Sequence, residues 1–239
     1  MTRRIAGTTT FGALLLGLCL AGGLGAAGWL VGDGLYRARA ADRYVTVKGL
    51  SEREVAADLA LWPIVFVVTA NDLATLQQRM DESTAAVQEF LAAGFPGDEI
   101  APSMPRINDR EGQGYQGGQP LDRYQAERTV TLRTGKIEEV KAAMQRTGEL
   151  VARGVALIRS YEYNAEFLFT SLDALKPQMI AEATQDARRA AEQFANDSGA
   201  SVGSIRNAQQ GYFSIEDRDK FSPEQKKVRV VTTVQFFLE

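Results

Sequence analysis

Carboxylates are the side chains in this sequence that are numerous enough to serve as acids and bases. They cluster in two short segments, which hold Glu52, Glu54, Asp58 and Glu216, Asp217, Asp219. Glycoside hydrolysis uses two carboxyl groups about 5–10 Å apart across a cleft, and calcium takes about six to eight oxygen ligands. Because the second segment alternates in charge and neither follows a calcium-loop pattern, solvated turns are the simpler interpretation.

The composition excludes several classes of chemistry. The 239 residues include no histidine and one cysteine, Cys19, which excludes Ser-His-Asp catalysis, His-ligated zinc and an intrachain disulfide. Residues 41–239 carry 23 basic against 29 acidic side chains, a net charge of −6, which argues against nucleic-acid binding. We therefore expect no catalytic, cofactor-binding or metal-binding residues, no cofactor and no nucleic-acid partner, and the protein is not expected to be an enzyme.

Two other segments have both a functional and a structural interpretation. The glycine-rich stretch 112–118 lacks the Lys-Ser/Thr of a phosphate-binding loop, so we interpret it as a flexible loop that contacts partners. Four aromatic residues alternate along one side of a predicted strand: Tyr161, Tyr163, Phe167 and Phe169. Core packing beneath a helix is the more common reason for this pattern, and a sugar- or peptide-binding face is the alternative.

An uncharged run from Ile5 to Gly32 covers 28 residues, which is enough to cross a bilayer at about 20 residues per crossing. Arg3 and Arg4 precede it and favour a cytoplasmic N-terminus. The run exceeds the roughly 7–15 residues of a signal-peptide core, so we favour an uncleaved anchor over a signal cleaved near Ala40. We expect a cytoplasmic stub, anchor and linker in residues 1–40, and a periplasmic domain in 41–239.

The remaining pattern predicts the order β-β-α-β-β-α-β-α-β-β. The fold class is α+β, with long helices packed on a mixed or antiparallel sheet and possible repeated β-α-β units at 57–108 and 124–169. Pro63 lies within a predicted strand and indicates an edge or a bulge there. The third helix has a mostly alanine contact face, predicted as Leu172, Leu175, Met179, Ala183, Ala187, Ala190 and Phe194. Its charged residues, such as Glu182 and Asp186, are predicted to be solvated.

Five segments together resemble the SIMPL-domain family of bacterial envelope proteins. They are Val45–Gly49, Ala57–Ala60, Ala93–Phe95, Tyr124–Ala126 and Ala181–Ala195. The resemblance covers about residues 43–238. It implies paired strand-helix units, residence in the cell envelope, self-assembly in some members and an association with oxidative or envelope stress. It implies no catalytic residues, and the long N-terminal run and Trp62-Pro63 depart from the simplest members.

The combined features predict a membrane-anchored, non-enzymatic envelope protein that binds copies of itself or other envelope proteins. Residues 5–32 would hold it in the inner membrane as a single-pass protein, and exposed strands, such as the Pro63 strand or the C-terminal strand, would pair between subunits. The alternative is a carboxylate-dependent envelope hydrolase or small-ligand-binding protein. The hydrolase requires a pocket lined by carboxylates from the set Glu52, Asp58, Glu162, Glu166 and Asp217.

Overall fold

The computed structural model of the chain describes residues 6–40, 43–111, 122–158 and 164–239. The helices are α1 (Ala6–Ala40), α2 (Leu73–Ala92), α3 (Ile137–Gln145), α4 (Gly148–Ala152) and α5 (Leu172–Ser198). The strands are β1 (Tyr44–Ala56), β2 (Leu59–Ala70), β3 (Ile100–Pro102), β4 (Arg106–Asp109), β5 (Tyr124–Thr134), β6 (Ala156–Leu157), β7 (Glu166–Leu168), β8 (Val202–Gln210), β9 (Ser214–Asp217) and β10 (Gln225–Leu238). The expected α+β class with antiparallel sheets is confirmed.

The chain divides into two compact units. Unit 1 comprises residues 1–51, 180–212 and 230–239, and unit 2 comprises 52–179 and 213–229. The strands β1 and β10 and the helix α5 each contribute residues to both units.

Unit 2 is built around the long antiparallel pair β2 and β5, which stay in register from Ala60 opposite Thr134 to Ala70 opposite Tyr124. The short strands β3 and β4 pair with β5, and β6 and β7 pair with β2. The two β-α-β segments are therefore arranged alike, because the short strands of each pair with the long strand of the other.

The core of unit 2 forms where α2, α3 and α4 cover this sheet. Phe66, Leu91, Leu132 and Leu150 are fully buried there. The helix α2 begins directly after Asp72, whose carboxylate accepts a hydrogen bond of 2.8 Å from the backbone N–H of Thr75 and so satisfies one of the free donors of the first turn.

Pro63 does not lie on an edge strand, so that prediction is wrong. Its strand β2 has β5 along one side and both β6 and β7 along the other. However, β7 pairs with residues Leu59–Leu61 and β6 pairs only with Phe66 and Val67. Within the described residues, no strand pairs with this side of β2 at Pro63 itself, and the ring nitrogen of proline has no proton to contribute to a strand pairing there.

Unit 1 contains α1, the end of α5, the start of β1, β8 and the end of β10. Its small core joins Ala187 and Ala191 of α5 to Val45, Val234 and Phe236. The prediction that α5 packs through a face made mostly of alanine is confirmed. The residues on that face differ in part from the predicted ones, because the helix is rotated about its axis relative to the prediction. The buried residues are Met179, Ala183, Ala187, Ala191 and Ala195, while Phe194 is 53 % exposed.

The helix α5 lies unusually close to β1. A Cβ atom added to Gly49 would overlap the backbone oxygen of Ala183 and the backbone nitrogen of Ala187, and would lie 2.9 Å from the Cβ of Ala187. Only glycine fits at this contact, because real Cβ atoms do not come so close to backbone atoms.

The helix α1 is apolar and long enough to cross a membrane. The span that meets these criteria is Leu14–Leu35, 22 residues, and none of it is buried against the rest of the described chain. At about 1.5 Å of rise per residue, its length matches the roughly 30 Å hydrocarbon core of a bilayer. This finding fits either a single-pass anchor or a signal sequence.

Candidate functional site

The structure brings the two acidic clusters of the sequence together in unit 2, and it pairs their carboxylates with arginine and lysine side chains. Arg218 contacts Glu54 at 3.7 Å and Asp219 at 2.9 Å, so it joins one cluster to the other. Glu52 lies 3.4 Å from the guanidinium of Arg229. A further ion pair joins Asp217 to Lys226.

Two carboxyl groups in this region, those of Asp219 and Glu224, have a pKa below the usual range. A hydrogen bond from Arg218 holds the pKa of Asp219 below its usual range, and one from Lys141 does the same for the pKa of Glu224. Among the described residues, each carboxyl group with a shifted pKa is shifted downward. A general acid near neutral pH needs a raised pKa, and the pKa values of Asp219 and Glu224 are shifted the other way by their basic partners.

Asp58 secures the start of α5 from the turn between β1 and β2. Its two carboxylate oxygens accept hydrogen bonds from the backbone N–H groups of Thr170, at 2.7 Å, and Ser171, at 2.9 Å. Partial burial alone would raise the pKa of Asp58, but the hydrogen bonds from Ser171 and Thr170 outweigh it and hold this pKa below its usual range. The position near a helix N-terminus also suits a negative charge.

Replacing Asp58 by alanine is expected to destabilise unit 2 by about 1–2 kcal/mol at pH 7, since two hydrogen bonds to a partly exposed charge are lost. A lowered folded-state pKa means that this stabilisation is present above the unfolded-state pKa of about 3.9 and disappears as the pH falls through the folded-state value. Urea unfolding of both proteins between pH 7 and pH 2.5 measures the difference. If the difference in the free energy of unfolding between the two proteins does not become smaller in acid, the stabilising role assigned to the Asp58 carboxylate is contradicted.

The matched control is Glu166→Ala on β7. The Glu166 side chain is exposed and makes no hydrogen bond or ion pair within the described ranges. Its loss is expected to change the free energy of unfolding by less than about 0.5 kcal/mol.

Several residues singled out in the sequence lie outside the described residues. These are the glycine-rich stretch 112–118, Tyr161, Glu162 and Tyr163. Of the four alternating aromatics, Phe167 is buried in the core of unit 2, as core packing predicts, and Phe169 is half-buried. In the part of the chain that the structure describes, no three His, Cys, Asp or Glu residues are grouped so that they could hold a metal ion.

Two acidic residues of α5 are not simply solvated, which corrects that prediction. Asp186 accepts a hydrogen bond of 2.9 Å from the backbone N–H of Leu50, and Glu182 accepts one of 2.8 Å from the hydroxyl of Ser51. The hydrogen bond from the backbone of Leu50, together with one from Arg189, lowers the pKa of Asp186. Both acids therefore hold β1, an edge strand of its sheet, and Asp186 also occupies a backbone donor of that strand, the N–H of Leu50.

The C-terminal strand is also not an edge, contrary to prediction. It is β10, which lies between β1 on one side and β8 on the other. The second edge of this sheet within unit 1 is β8, whose side chains from Ser204 to Gln210 are exposed. Along its outer side no strand pairs with β8 among the described residues.

The backbone direction of β8 follows from one hydrogen bond. Gly211 donates its N–H to the carbonyl of Val231 at 2.8 Å, so Gly211 turns toward β10. Since backbone groups alternate along a strand, Gln209 also turns toward β10, and Ala208 and Gln210 turn their N–H and C=O groups outward. No described strand pairs with these outward groups, so they form an edge to which another strand can be added.

β8 lacks most of the features that protect natural sheet edges. It has no proline, and its one charged residue is Arg206. The guanidinium of Arg206 lies 4.1 Å from the ring centroid of Tyr44, so this charge is directed over an aromatic ring. The sequence predicts a strand in this region, but its position at the edge was missed because strand order depends on distant pairings that no local pattern reveals.

Comparisons with known proteins establish the family of the chain. One similar solved structure is an uncharacterized conserved protein from Listeria innocua, which is 15 % identical, with 79 % of this chain and 92 % of that chain covered and a TM-score of 0.18. The comparison with curated proteins gives no match. The family described as SIMPL, protein of unknown function (DUF541), matches residues 45–236. That range covers most of the chain and overlaps every strand from β1 to β10, and the chain therefore belongs to the SIMPL family.

Proposed function

We propose that this SIMPL-family protein is a membrane-anchored envelope protein that works by self-association and not by catalysis. In this proposal α1 holds it in the inner membrane, the body lies in the periplasm, and two copies pair through β8. The observation that carries the proposal is the open outer edge of β8, with Ala208 and Gln210 directed away from β10.

A second copy of the chain is the partner that this edge suits best. Two β8 strands related by a two-fold axis present the same alternating donors and acceptors to each other, as an antiparallel pair requires. Chains anchored in one bilayer also meet at a higher effective concentration than chains in solution. The engagement of the acidic clusters in salt bridges is consistent with a binding role.

Replacing Ala208 by proline is expected to weaken dimerisation about tenfold or more, because it removes one outward donor and adds bulk at the open edge. The measurement is light scattering of the full-length protein in detergent, over a range of concentrations, with the detergent mass subtracted. The ladder between β8 and β10 should survive, since the N–H of Ala208 does not point toward β10.

The matched control is Ala208→Val, which retains the N–H and favours a strand, and which should dimerise like the wild type. A wild-type protein that stays monomeric at every concentration contradicts the proposal. Equal dimerisation of the proline and valine variants would show that association uses another surface, such as α1.

The membrane placement has its own test. N-terminal sequencing of the protein from envelope fractions should give the uncleaved terminus if α1 is an anchor, and a start near Ala41 if it is a cleaved signal. Recovery of the native protein from the cytosol would contradict the envelope assignment.

A role in stress tolerance rests on the likeness to other family members alone. Deleting the gene and challenging cells with peroxide is the direct measurement. Unchanged survival would remove this part of the proposal and leave the self-association proposal intact.

A further inference from the structure

The sheet of unit 1 turns one face toward α5 and the other face away from it. Val45, Val234 and Phe236 lie on the face toward α5 and are buried. Because side chains alternate between the two faces of a strand, Tyr44 and Lys48 lie on the opposite, outer face, where both are exposed. The outer face is therefore the one on which unit 1 can meet a partner.

Arg206 of β8 occupies a bulge in this sheet. Gln235 of β10 pairs with Asn207, but the next residue, Phe236, pairs with Ile205, so Arg206 is the extra residue of the ladder. A bulge of this kind changes the direction of a side chain. The bulge therefore explains how one long cationic side chain leaves the row of its neighbours.

The guanidinium of Arg206 is stacked on rings from the other two strands of the sheet. It lies 4.1 Å from the ring centroid of Tyr44 on β1 and 5.9 Å from that of Phe237 on β10. Stacking uses the flat face of a guanidinium, and its N–H groups point outward in its plane, where they suit the oxygens of a phosphate. Tyr44, Phe237 and Arg206 thus combine apolar rings with a donor for anions.

The end of the sheet that carries these rings is joined closely to the membrane helix. The helix α1 ends at Ala40 and β1 begins at Tyr44, and four residue-to-residue steps span about 14 Å at most. Leu238 donates its N–H to the carbonyl of Arg43 at 2.9 Å, so the end of β10 lies beside the start of β1. When α1 spans a bilayer, Tyr44 and Phe237 are therefore within reach of its headgroups.

The charge at this end of unit 1 is positive. Residues 37–43, which join α1 to β1, hold three arginines and one acid, Asp42. Arg206 adds one positive charge and Glu239, at the end of β10, adds one negative charge. Basic groups beside a bilayer are attracted by anionic lipids, and aromatic rings are enriched where a membrane meets water.

We propose that Tyr44, Phe237 and Arg206 form a lipid-contact surface that binds the headgroups of an anionic membrane. The two rings lie among the headgroups, and the edge of the Arg206 guanidinium donates hydrogen bonds to a lipid phosphate. This inference rests on the proposed membrane anchor, α1, and not on pairing through β8. The contact would give unit 1 one preferred orientation, which a short tether alone does not provide.

The test places an indole in this surface. Full-length protein with Trp29→Phe and Phe237→Trp is reconstituted into phosphatidylcholine vesicles, with or without phosphatidylglycerol, in which some lipids carry a nitroxide on the headgroup. Nitroxides quench indole fluorescence only at short range. The Trp29→Phe protein measures the contribution of Trp62, the remaining tryptophan. We expect quenching at position 237 to be about twofold stronger when the anionic lipid is present.

Two arginine variants locate the contact. Arg206→Gln is expected to abolish the increase caused by phosphatidylglycerol, so that position 237 is quenched as in phosphatidylcholine alone. Arg153→Gln, after α4 in unit 2, removes the same charge from an exposed arginine and should retain the increase. If the Phe237→Trp protein does not fold, Tyr44→Trp places the indole in the same surface.

The anchor is checked separately through Trp29, which lies in α1. Vesicles of phospholipid with brominated acyl chains should quench the wild type more than the Trp29→Phe protein. If Trp29 is quenched but position 237 shows no increase with anionic lipid, the lipid-contact surface is overturned and the anchor stands. An equal increase in the Arg206→Gln and Arg153→Gln proteins also overturns the surface. If Trp29 is not quenched, the anchor and the surface are both contradicted.

Discussion

Replacing Gly49 by alanine should destabilise unit 1 by about 3 kcal/mol, at the upper end of what overpacking costs. The added Cβ overlaps the carbonyl oxygen of Ala183 and the backbone nitrogen of Ala187. Backbone atoms cannot rotate out of the way as the end of a long side chain can, so α5 must move off β1. That movement would open the contacts that bury Ala187 and Ala191.

Hydrogen exchange followed by mass spectrometry provides the measurement, because it resolves which amides lose protection. Faster exchange is expected in α5 from Ala183 onward and in the neighbouring part of β1. The control is Gly148→Ala at the start of α4, where no atom lies within 4 Å of the added Cβ. There the usual helix preference should make alanine neutral or stabilising by up to about 1 kcal/mol. Equal effects of the two substitutions would contradict the close contact.

Phe66→Ala is expected to destabilise unit 2 by about 3–5 kcal/mol, the range for removing a buried phenylalanine. Phe66 has no exposed surface and lies in the core where β2 meets β5. Truncation removes the buried ring and leaves a cavity in the centre of the pair. Equilibrium unfolding in urea, followed by circular dichroism, measures the loss.

Phe194→Ala is the matched control, because it makes the same chemical change on α5 where the ring is 53 % exposed. It should cost less than about 1 kcal/mol. The sequence pattern predicts the opposite, since Phe194 falls on the predicted contact face. A larger loss at Phe194 than at Phe66 would therefore support the pattern and contradict the structure.

Local signals predicted the elements that depend on local interactions. The start of α2 depends on the capping residue Asp72, whose bond to Thr75 spans three residues. Gly154 and Gly199 each follow a helix closely, and their positive φ angles of 85° and 69° are of the kind that glycine adopts most easily at such ends. These features need no knowledge of the rest of the chain.

Strand order and helix rotation were not predictable in this way. The sequence predicts β10 as the last strand of the chain. Its position between β1 and β8, however, depends on partners more than ten residues away in sequence. The rotation of α5 depends on Gly49, which is far from it along the chain. The contacts of Asp186 with Leu50 and of Asp58 with Thr170 link distant segments too, so their roles appear only in the folded protein.

The short connection between α1 and β1 has a consequence for how copies of the protein meet. The helix ends at Ala40 and the strand begins at Tyr44, and the four residue-to-residue steps between them span about 14 Å at most. In the proposed anchored form, this short connection keeps β1 close to the lipid headgroups. Neighbouring copies would then present β8 at one common height above the bilayer, which turns a three-dimensional search for a partner into a search within a plane.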